Sequence, residues 1–434
     1  MSHWFEYFPG NHMWSQGMMF GIEMQTWGAA ALGEIDQIGQ KLKAHVGDNE
    51  KWWQEWTEMA SRIEGFGEAE ERAGHQLTAG SYYLRAAIYY FCGERFIPPS
   101  ERKWETYRAC LRCFRKGIAR RYSNIERVEV PYEGAPERGA GAPDSGGRDR
   151  KGAHKLTVRD SGASLPTSGS HPASGNPAPS SVGTTLPAWF LKADVKGPAP
   201  AVVMFDGLDN AKEMSVLFGG VEIARRGIHV LAIDGPGQGE ALRLQGIPSR
   251  YDYEVPGRAA YDYAAGRREV DAKRIAVMGF SMGGYYAPRA AAMEPRFAAC
   301  VAWGGHSDYH EAWVRRRRIM ESGGTKLSAP SFQLPWVLGM SDMEACMKKL
   351  ENYRLAGVAE KIQCPFYCIH GENDNIVPLE FAQRLYELVG SRDKTLKILT
   401  AHDGGSDHCQ EDNRQVGVNL VADWLAERLG GRLD

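Results

Sequence analysis

The sequence predicts an α/β fold, in which a mostly parallel sheet is covered by helices on both faces and preceded by a helical region at residues 1–124. Two observations carry that expectation. From Pro200 onward, short continuous apolar runs alternate with segments of helical pattern, the signature of strands buried on both faces. One of these runs, Ile275–Met278, ends in Gly279-Phe280-Ser281-Met282-Gly283, and small residues suited to a helix follow at Ala287, Ala290, Ala291 and Ala292. Gly-x-Ser-x-Gly between strand and helix is the form of a sharp turn that lifts a serine hydroxyl above a sheet. Gly279 and Gly283 fit sterically, because strand and helix pass too close there for a Cβ.

The elements follow in order. Seven of the 12 tryptophans fall within the first 104 residues, and the helical region carries no catalytic motif. Thr78–Phe91 reads as a helix rich in small and aromatic residues. After it, Trp104, Tyr107, Leu111, Phe114 and Ile118 recur at helical spacing as one apolar stripe. The opposite face, with Arg108, Arg112, Arg115 and Lys116, reads as solvated. The tryptophans read as packing residues, and together as an aromatic cap or lid. Glu126–Val130 is a strand expected to end at Pro131, and Thr184–Leu191 is its hairpin partner. Between them, residues 135–182 are dominated by Gly, Ala, Ser, Pro and Arg and read as a disordered insertion.

Residues 125–434 read as the second domain. Its expected strands are Ala201–Phe205, His229–Ile233, Ile275–Met278, Cys300–Trp303, Pro365–His370 and Thr395–Leu399. Its expected helices are Lys212–Arg226, Arg258–Arg268, Met282–Met293, Leu379–Val389 and Gln415–Leu429. Residues 311–360 break that rhythm with a helical excursion, a small cap insertion over the carboxyl ends of the strands. Its run Arg315–Arg318 reads as a solvated helix face.

Composition narrows the partners. A formal net charge of −2 gives no electrostatic reason to expect nucleic acid, and no apolar run reaches the length of a membrane span. The N-terminus lacks a basic start followed by an apolar core, so secretion is not indicated. The eight cysteines are scattered and several sit in apolar runs, which suits reduced thiols in a cytoplasmic protein. Cys110-x-x-Cys113 reads as two packed thiols on a helix, with no second pair at metal spacing. No metal or cofactor is expected: no His-Glu-x-x-His occurs, and Asp234-Gly235-Pro236-Gly237-Gln238-Gly239-Glu240 lacks the Lys-Ser/Thr of a phosphate loop. That segment reads as a tight turn at the rim of the sheet.

A serine hydroxyl is a weak nucleophile and needs a base, which in turn needs an orienting acid. On this type of sheet the chain order is serine, acid, histidine. Asp374 lies mid-loop after the strand ending at His370, with Glu372 as its competitor. His408, beside the start of the last helix, is preferred to His402 as the base. One oxyanion donor is the N–H of Met282 at the helix start, and the other is assigned to the N–H of Leu208 in Phe205-Asp206-Gly207-Leu208-Asp209-Asn210. Asp209 either reaches the site or caps the helix beginning near Ala211. His306 and His310, in a loop at a strand end, read as structural or substrate-facing.

Several motifs in order resemble one family. They are Gly207-Leu208-Asp209-Asn210-Ala211-Lys212-Glu213, the Asp234–Glu240 segment, Gly279-Phe280-Ser281-Met282-Gly283-Gly284, Trp303-Gly304-Gly305 and Asp407-His408-Cys409. Together they are similar to the 2,6-dihydropseudooxynicotine hydrolase family, which is related to fungal polyketide-shortening hydrolases of pigment biosynthesis. The resemblance covers the chain from about Pro200 onward, and the helical region more loosely. It implies an α/β-hydrolase with a helical N-terminal cap, often dimeric, that cleaves a carbon–carbon bond next to a ketone. By this resemblance Ser281 is the nucleophile, Asp374 the acid and His408 the base. The family's glutamate at the place of Asp209 implies a catalytic role there, through a side chain one methylene shorter. The expected substrate is a small aromatic ketone or β-diketone. Cleavage of an ester by the same three residues is the near alternative, and a non-catalytic binding protein on the same fold is the distant one.

Overall fold

The computed structural model describes residues 6–134, 184–208, 210–321 and 329–434. The expected insertion at 135–182 lies outside the described residues, as does Asp209. Five helices come first: α1 His12–Glu23, α2 Leu32–Leu42, α3 Asn49–Arg72, α4 Gln76–Glu94 and α5 Glu101–Arg121. Helix α3 starts on Asp48, whose carboxylate accepts from the N–H groups of Glu50 and Lys51, and α5 starts on Ser100, which caps Lys103 N–H. Their inward faces are aromatic. Trp14, Trp52, Trp56, Tyr83, Tyr89 and Tyr107 are fully buried, with the Trp14–Trp52 and Trp52–Trp56 ring centroids 5.0 and 5.5 Å apart. The tryptophans at these positions therefore pack, as the sequence suggests. Cys110 and Cys113 are likewise buried within α5.

Eight strands form one sheet in the order β1-β2-β4-β3-β5-β6-β7-β8. They are β1 Ile125–Tyr132, β2 Thr184–Leu191, β3 Ala199–Phe205, β4 His229–Ile233, β5 Val270–Phe280, β6 Ala299–Trp303, β7 Phe366–Gly371 and β8 Lys394–Leu399. Strand β2 pairs antiparallel with β1 and with β4, and every other pairing is parallel. Both faces of the central strands are buried. Val202, Met204, Val230, Ala232, Ala276 and Met278 pack toward the N-terminal helices, while Ala201, Val203, Leu231, Ile233, Ile275 and Val277 pack on the other face. Side chains alternate along a strand, so burial on both faces requires the unbroken apolar runs seen in the sequence.

Several boundaries differ from the sequence reading: strand β5 already starts at Val270 rather than Ile275, and three further differences have a local cause. Strand β1 continues through Pro131 to Tyr132, because it is an edge strand and the missing N–H of proline costs no ladder bond there. The helix expected at Arg258 begins a turn earlier, at Glu254, with Pro256 tolerated in its first turn. The segment expected as one helix over Lys212–Arg226 widens into a π turn at Val216–Gly220, flanked by α6 Lys212–Ser215 and α7 Val221–Arg225. The later helices are α8 Gly239–Arg243, α9 Glu254–Ala265, α10 Gly283–Met293, α11 Tyr309–Glu321, α12 Gln333–Leu338, α13 Met343–Leu350, α14 Leu379–Leu388 and α15 Arg414–Leu429. Among the described residues, no helix is long and apolar enough to cross a membrane.

Buried charges tie the loops at the carboxyl ends of the strands together. Lys212 Nζ, fully buried, lies 2.7 Å from Asp234, 3.0 Å from Glu213 and 3.0 Å from Glu240. Asp234 also accepts from the N–H groups of Lys212 and Glu240, both at 2.7 Å. The Asp234–Glu240 segment is thus a turn at the sheet rim that also carries a buried carboxylate. A second cluster fastens the helical region to the sheet: Glu94 of α4 bonds Lys103 of α5 and Arg243 of α8.

The turn after β5 depends on close backbone packing. A Cβ on Gly283 would lie 2.9 Å from Phe205 O and 3.0 Å from Asp206 O, and one on Gly279 would drive into the carbonyl of Gly283. Backbone atoms cannot swing aside as a side chain can. Gly279→Ala and Gly283→Ala are therefore each expected to lower the free energy of unfolding by about 1–3 kcal/mol, read from the urea midpoint. Unchanged midpoints would contradict this packing.

Candidate active site

Ser281 follows β5 and precedes α10, with its backbone in the left-handed region at φ 54°. That conformation is costly for a residue with a Cβ and is held by its surroundings. Ser281 N–H donates to Trp303 O at 2.8 Å, and Ser281 O accepts from Gly284 N–H at 2.7 Å. Its Oγ lies 2.8 Å from His408 Nε2. His408 Nδ1–H donates to Asp374 Oδ2 at 2.7 Å. The other carboxylate oxygen, Asp374 Oδ1, accepts from Ile376 N–H at 2.9 Å and Val377 N–H at 2.7 Å. The hydroxyl, imidazole and carboxylate that the sequence singled out thus form one hydrogen-bonded line, contributed by the loops after β5, β8 and β7.

Burial alone would raise the Asp374 carboxyl, but the charge and hydrogen bond of His408 hold it below its ordinary value. Burial opposes protonation of His408, while the charge and hydrogen bond of Asp374, with a smaller contribution from Cys409, favour it. The competitors lie elsewhere: Glu372 accepts from Ala401 N–H at 2.7 Å, and His402 is exposed. His310 meets the Arg354 guanidinium at 3.0 Å.

The loop that bears His408 is itself unusual. Cys409 and Gln410 have φ of 48° and 57°. Gln410 Oε1 accepts from Trp303 Nε1–H at 2.6 Å, and Arg414 Nη1 donates to Cys409 O at 3.0 Å. Arg414 is held in turn by Glu23, the last residue of α1, at 2.7 and 3.1 Å. Gln16 of α1 donates to Glu411 at 3.1–3.2 Å. The N-terminal helices thus brace the turn that aims the imidazole, a role no motif in them indicates.

A cleft opens over Ser281 and His408. Gln16, Phe20 and Arg95 reach it from the helical region, and Tyr309, Arg316 and Gln333 reach it from the segment after β6. Leu208 lines it as well. A Cβ on the neighbouring Gly207 would lie 3.6 Å from Ser281 Oγ, so this loop packs directly on the serine. Met282 follows Ser281 at the start of α10, and among the described residues no partner accepts from the N–H of Met282 or of Leu208. His306 lines the cleft, 2% exposed, with neither ring nitrogen hydrogen-bonded, and burial holds it neutral, well below its ordinary value. The reading of Arg315–Arg318 as a uniformly solvated face is corrected at Arg316. Arg315 pairs with Glu311 and Glu380, and Arg317 pairs with Glu344, whereas Arg316 turns into the cleft.

The fold and this geometry can be set beside known proteins. The sequence pattern of the prolyl oligopeptidase family matches residues 219–432. The 2,6-dihydropseudooxynicotine hydrolase of Paenarthrobacter nicotinovorans is 29% identical over 417 residues, covering 94% of this chain and 92% of that protein. The chain is an α/β-hydrolase homologous to that enzyme. Fungal relatives of this α/β-hydrolase include hydrolase acrC of Aspergillus aculeatus, 28% identical over 88% of this chain and 89% of its own length. The 20-hydroxy-prefusarin hydrolase of Gibberella moniliformis is 26% identical over 91% of both chains. The crystal structure of the 2,6-dihydroxy-pseudo-oxynicotine hydrolase shares the fold, with a TM-score of 0.69, 23% identity and 95% coverage of both chains.

The hydrolase carries a second titrating group on the cleft wall. Burial pushes the Glu411 carboxyl up to about 7, with Glu23 adding to the rise and His408, Gln16 and Arg414 opposing it. A carboxyl raised above its unfolded value keeps its proton longer in the folded state. Its contribution is therefore complete below about pH 4.5 and is lost as the pH rises to about 7. Glu411→Gln should remove that loss. The variant is expected to match the wild type near pH 4 and to exceed it at pH 8 by at most about 3 kcal/mol, read by urea unfolding at the two pH values. An equal difference at both would contradict the assignment.

Proposed function

We propose that this hydrolase attacks a ketone carbonyl with Ser281 and breaks the adjacent carbon–carbon bond through an acyl-enzyme. The observation that carries the serine chemistry is the line from Ser281 Oγ through His408 to Asp374, at 2.8 and 2.7 Å, on the floor of an open cleft. Carbon–carbon cleavage draws its support from the resemblance to the 2,6-dihydropseudooxynicotine hydrolase family. In this reading α1–α5 are the cap, since Gln16, Phe20 and Arg95 form one wall of the cleft.

The first half-reaction forms a C–O bond and breaks a C–C bond. His408 Nε2 takes the Ser281 proton as Oγ adds to one carbonyl carbon of a β-diketone, with or without an aryl substituent. The carbonyl oxygen becomes an oxyanion, stabilised by the N–H groups of Met282 and Leu208. Its collapse expels the neighbouring carbon as an enolate, which takes the proton from the imidazolium. That leaves an ester on Ser281. In the second half, His408 deprotonates a water, which adds to the ester and restores the serine, releasing a carboxylic acid. Asp374 stays ionised throughout and stabilises the imidazolium.

Ser281→Ala is expected to lower kcat about 10³-fold or more on any substrate the protein turns over. Fluorophosphonate labelling of the folded protein should fall on Ser281. The choice between leaving groups is tested by comparing aryl β-diketones with p-nitrophenyl esters: turnover of the diketones supports the proposal, and fast ester cleavage with inert diketones overturns its carbon–carbon part. Absence of labelling would overturn the nucleophile and favour a binding role.

A further inference from the structure

The cleft walls carry two guanidinium groups that the serine chemistry does not use. Arg316 is stationed by two contacts. Its Nη2 donates to Ile376 O at 3.0 Å, and its guanidinium lies over the Trp313 ring at 4.6 Å. Arg95, at the end of α4, lies over the rings of Phe20 and Phe91 at 4.9 and 5.8 Å. Both line the same cleft as Ser281. Among the described residues, neither forms an ion pair with a carboxylate. Elsewhere in this chain such groups are paired: Arg414 with Glu23, Arg243 with Glu94 and Arg250 with Asp252.

The acids that share the cleft are otherwise engaged. Asp206 accepts from Gly207 N–H at 2.8 Å, Asn210 at 2.7 Å and Ser215 at 2.7 Å. Asp374 is taken up by His408 and two backbone N–H groups. Glu411 accepts from Gln16. His306 lines the same cleft, close enough to Arg316 to feel its charge, buried, with two ring nitrogens that find no hydrogen-bond partner among the described residues. A buried imidazole left unbonded is costly, and a ligand with polar oxygens would satisfy it. Cations stationed by carbonyl and aromatic contacts, with no carboxylate in direct contact among the described residues and only the longer-range fields of Glu23 on Arg95 and Asp374 on Arg316, suit a planar anion.

We propose that the cleft selects substrates bearing a carboxylate, bound by Arg316 and Arg95 with His306 as a hydrogen-bonding partner, so that the ketone acid rather than its neutral counterpart is the preferred ligand. This rests on the proposed function for the ketone. The anion site itself stands on the two arginines. Arg316 comes from the segment after β6 and Arg95 from the helical region, so the site draws on both parts of the chain.

The test uses 3-benzoylpropionate and its primary amide, aryl ketones matched in shape that lack a 1,3-dicarbonyl for this chemistry to cleave. Calorimetric titration into the wild-type protein is expected to give affinity about tenfold or more higher for the acid. Arg316→Gln and Arg95→Gln should each weaken the acid about fivefold or more and leave the amide within about twofold. Arg316→Lys should restore part of the preference. Thermal melting establishes that each variant is folded. Should the variants not fold, the wild type still decides: raising ionic strength from about 0.05 to about 0.5 M should weaken the acid and not the amide. An acid that binds no better than its amide, or a preference that survives the folded double variant, overturns the proposal. Fluorophosphonate labelling of Ser281 distinguishes the two readings. Labelling without acid preference sinks only the anion site, and acid preference without labelling sinks only the serine chemistry.

Discussion

Close approach of backbone to backbone at the end of β5 is the constraint on which the site depends. Ser281 can sit in the left-handed region only because its N–H is held by Trp303 O, its carbonyl by Gly284 N–H, and the flanking glycines let three chain segments meet there. A Cβ on Gly284 would meet the carbonyl of Gly304, and one on Gly207 would lie 3.1 Å from the Ser281 Cβ. These contacts fix the hydroxyl relative to the ends of β3, β5 and β6 at once. The strain at one residue is thereby distributed over the sheet.

The imidazole is positioned by a different device. His408 stands before two consecutive residues of positive φ, and its turn is gripped by Trp303 through Gln410 and by Glu23 through Arg414. The grip from Glu23 comes from the helical region, which contributes no residue to the Ser281–His408–Asp374 line. The first five helices therefore have two structural roles, walling the cleft and bracing the turn that carries His408. Their attachment through Glu94, Lys103 and Arg243 is buried and charged, so removing one of the three side chains would leave the others uncompensated in the interior.

Much of this was legible in the chain. Continuous apolar runs specify strands buried on both faces and placed five of the eight strands, whereas β8, also expected as buried, is an edge strand with only Leu399 fully buried. The glycine pattern around Ser281, and the positions of Asp374 and His408 after later strands, brought three distant residues to one site. Arg316 shows where such reasoning stops. In a run of four arginines, periodicity reports only that a helix face is charged. Whether one guanidinium finds Glu380, Glu344 or an open cleft depends on which elements pack alongside. The bracing by Glu23 and Gln16 was invisible for the same reason, since each partner lies almost 400 residues away.

The sequence by itself determined the sheet, its covering helices, the serine turn and the order of the residues in the hydrogen-bonded line. Those features follow from local rules: side-chain periodicity, the steric freedom of glycine and the chemistry a serine requires. Only the tertiary structure decided the character of the cleft, with two guanidiniums and a histidine that, among the described residues, have no carboxylate or hydrogen-bond partner respectively, and a carboxyl raised to about 7. Charge and hydrogen-bond partnership are set by distance in space and by burial, and neither is encoded at any one position of the chain.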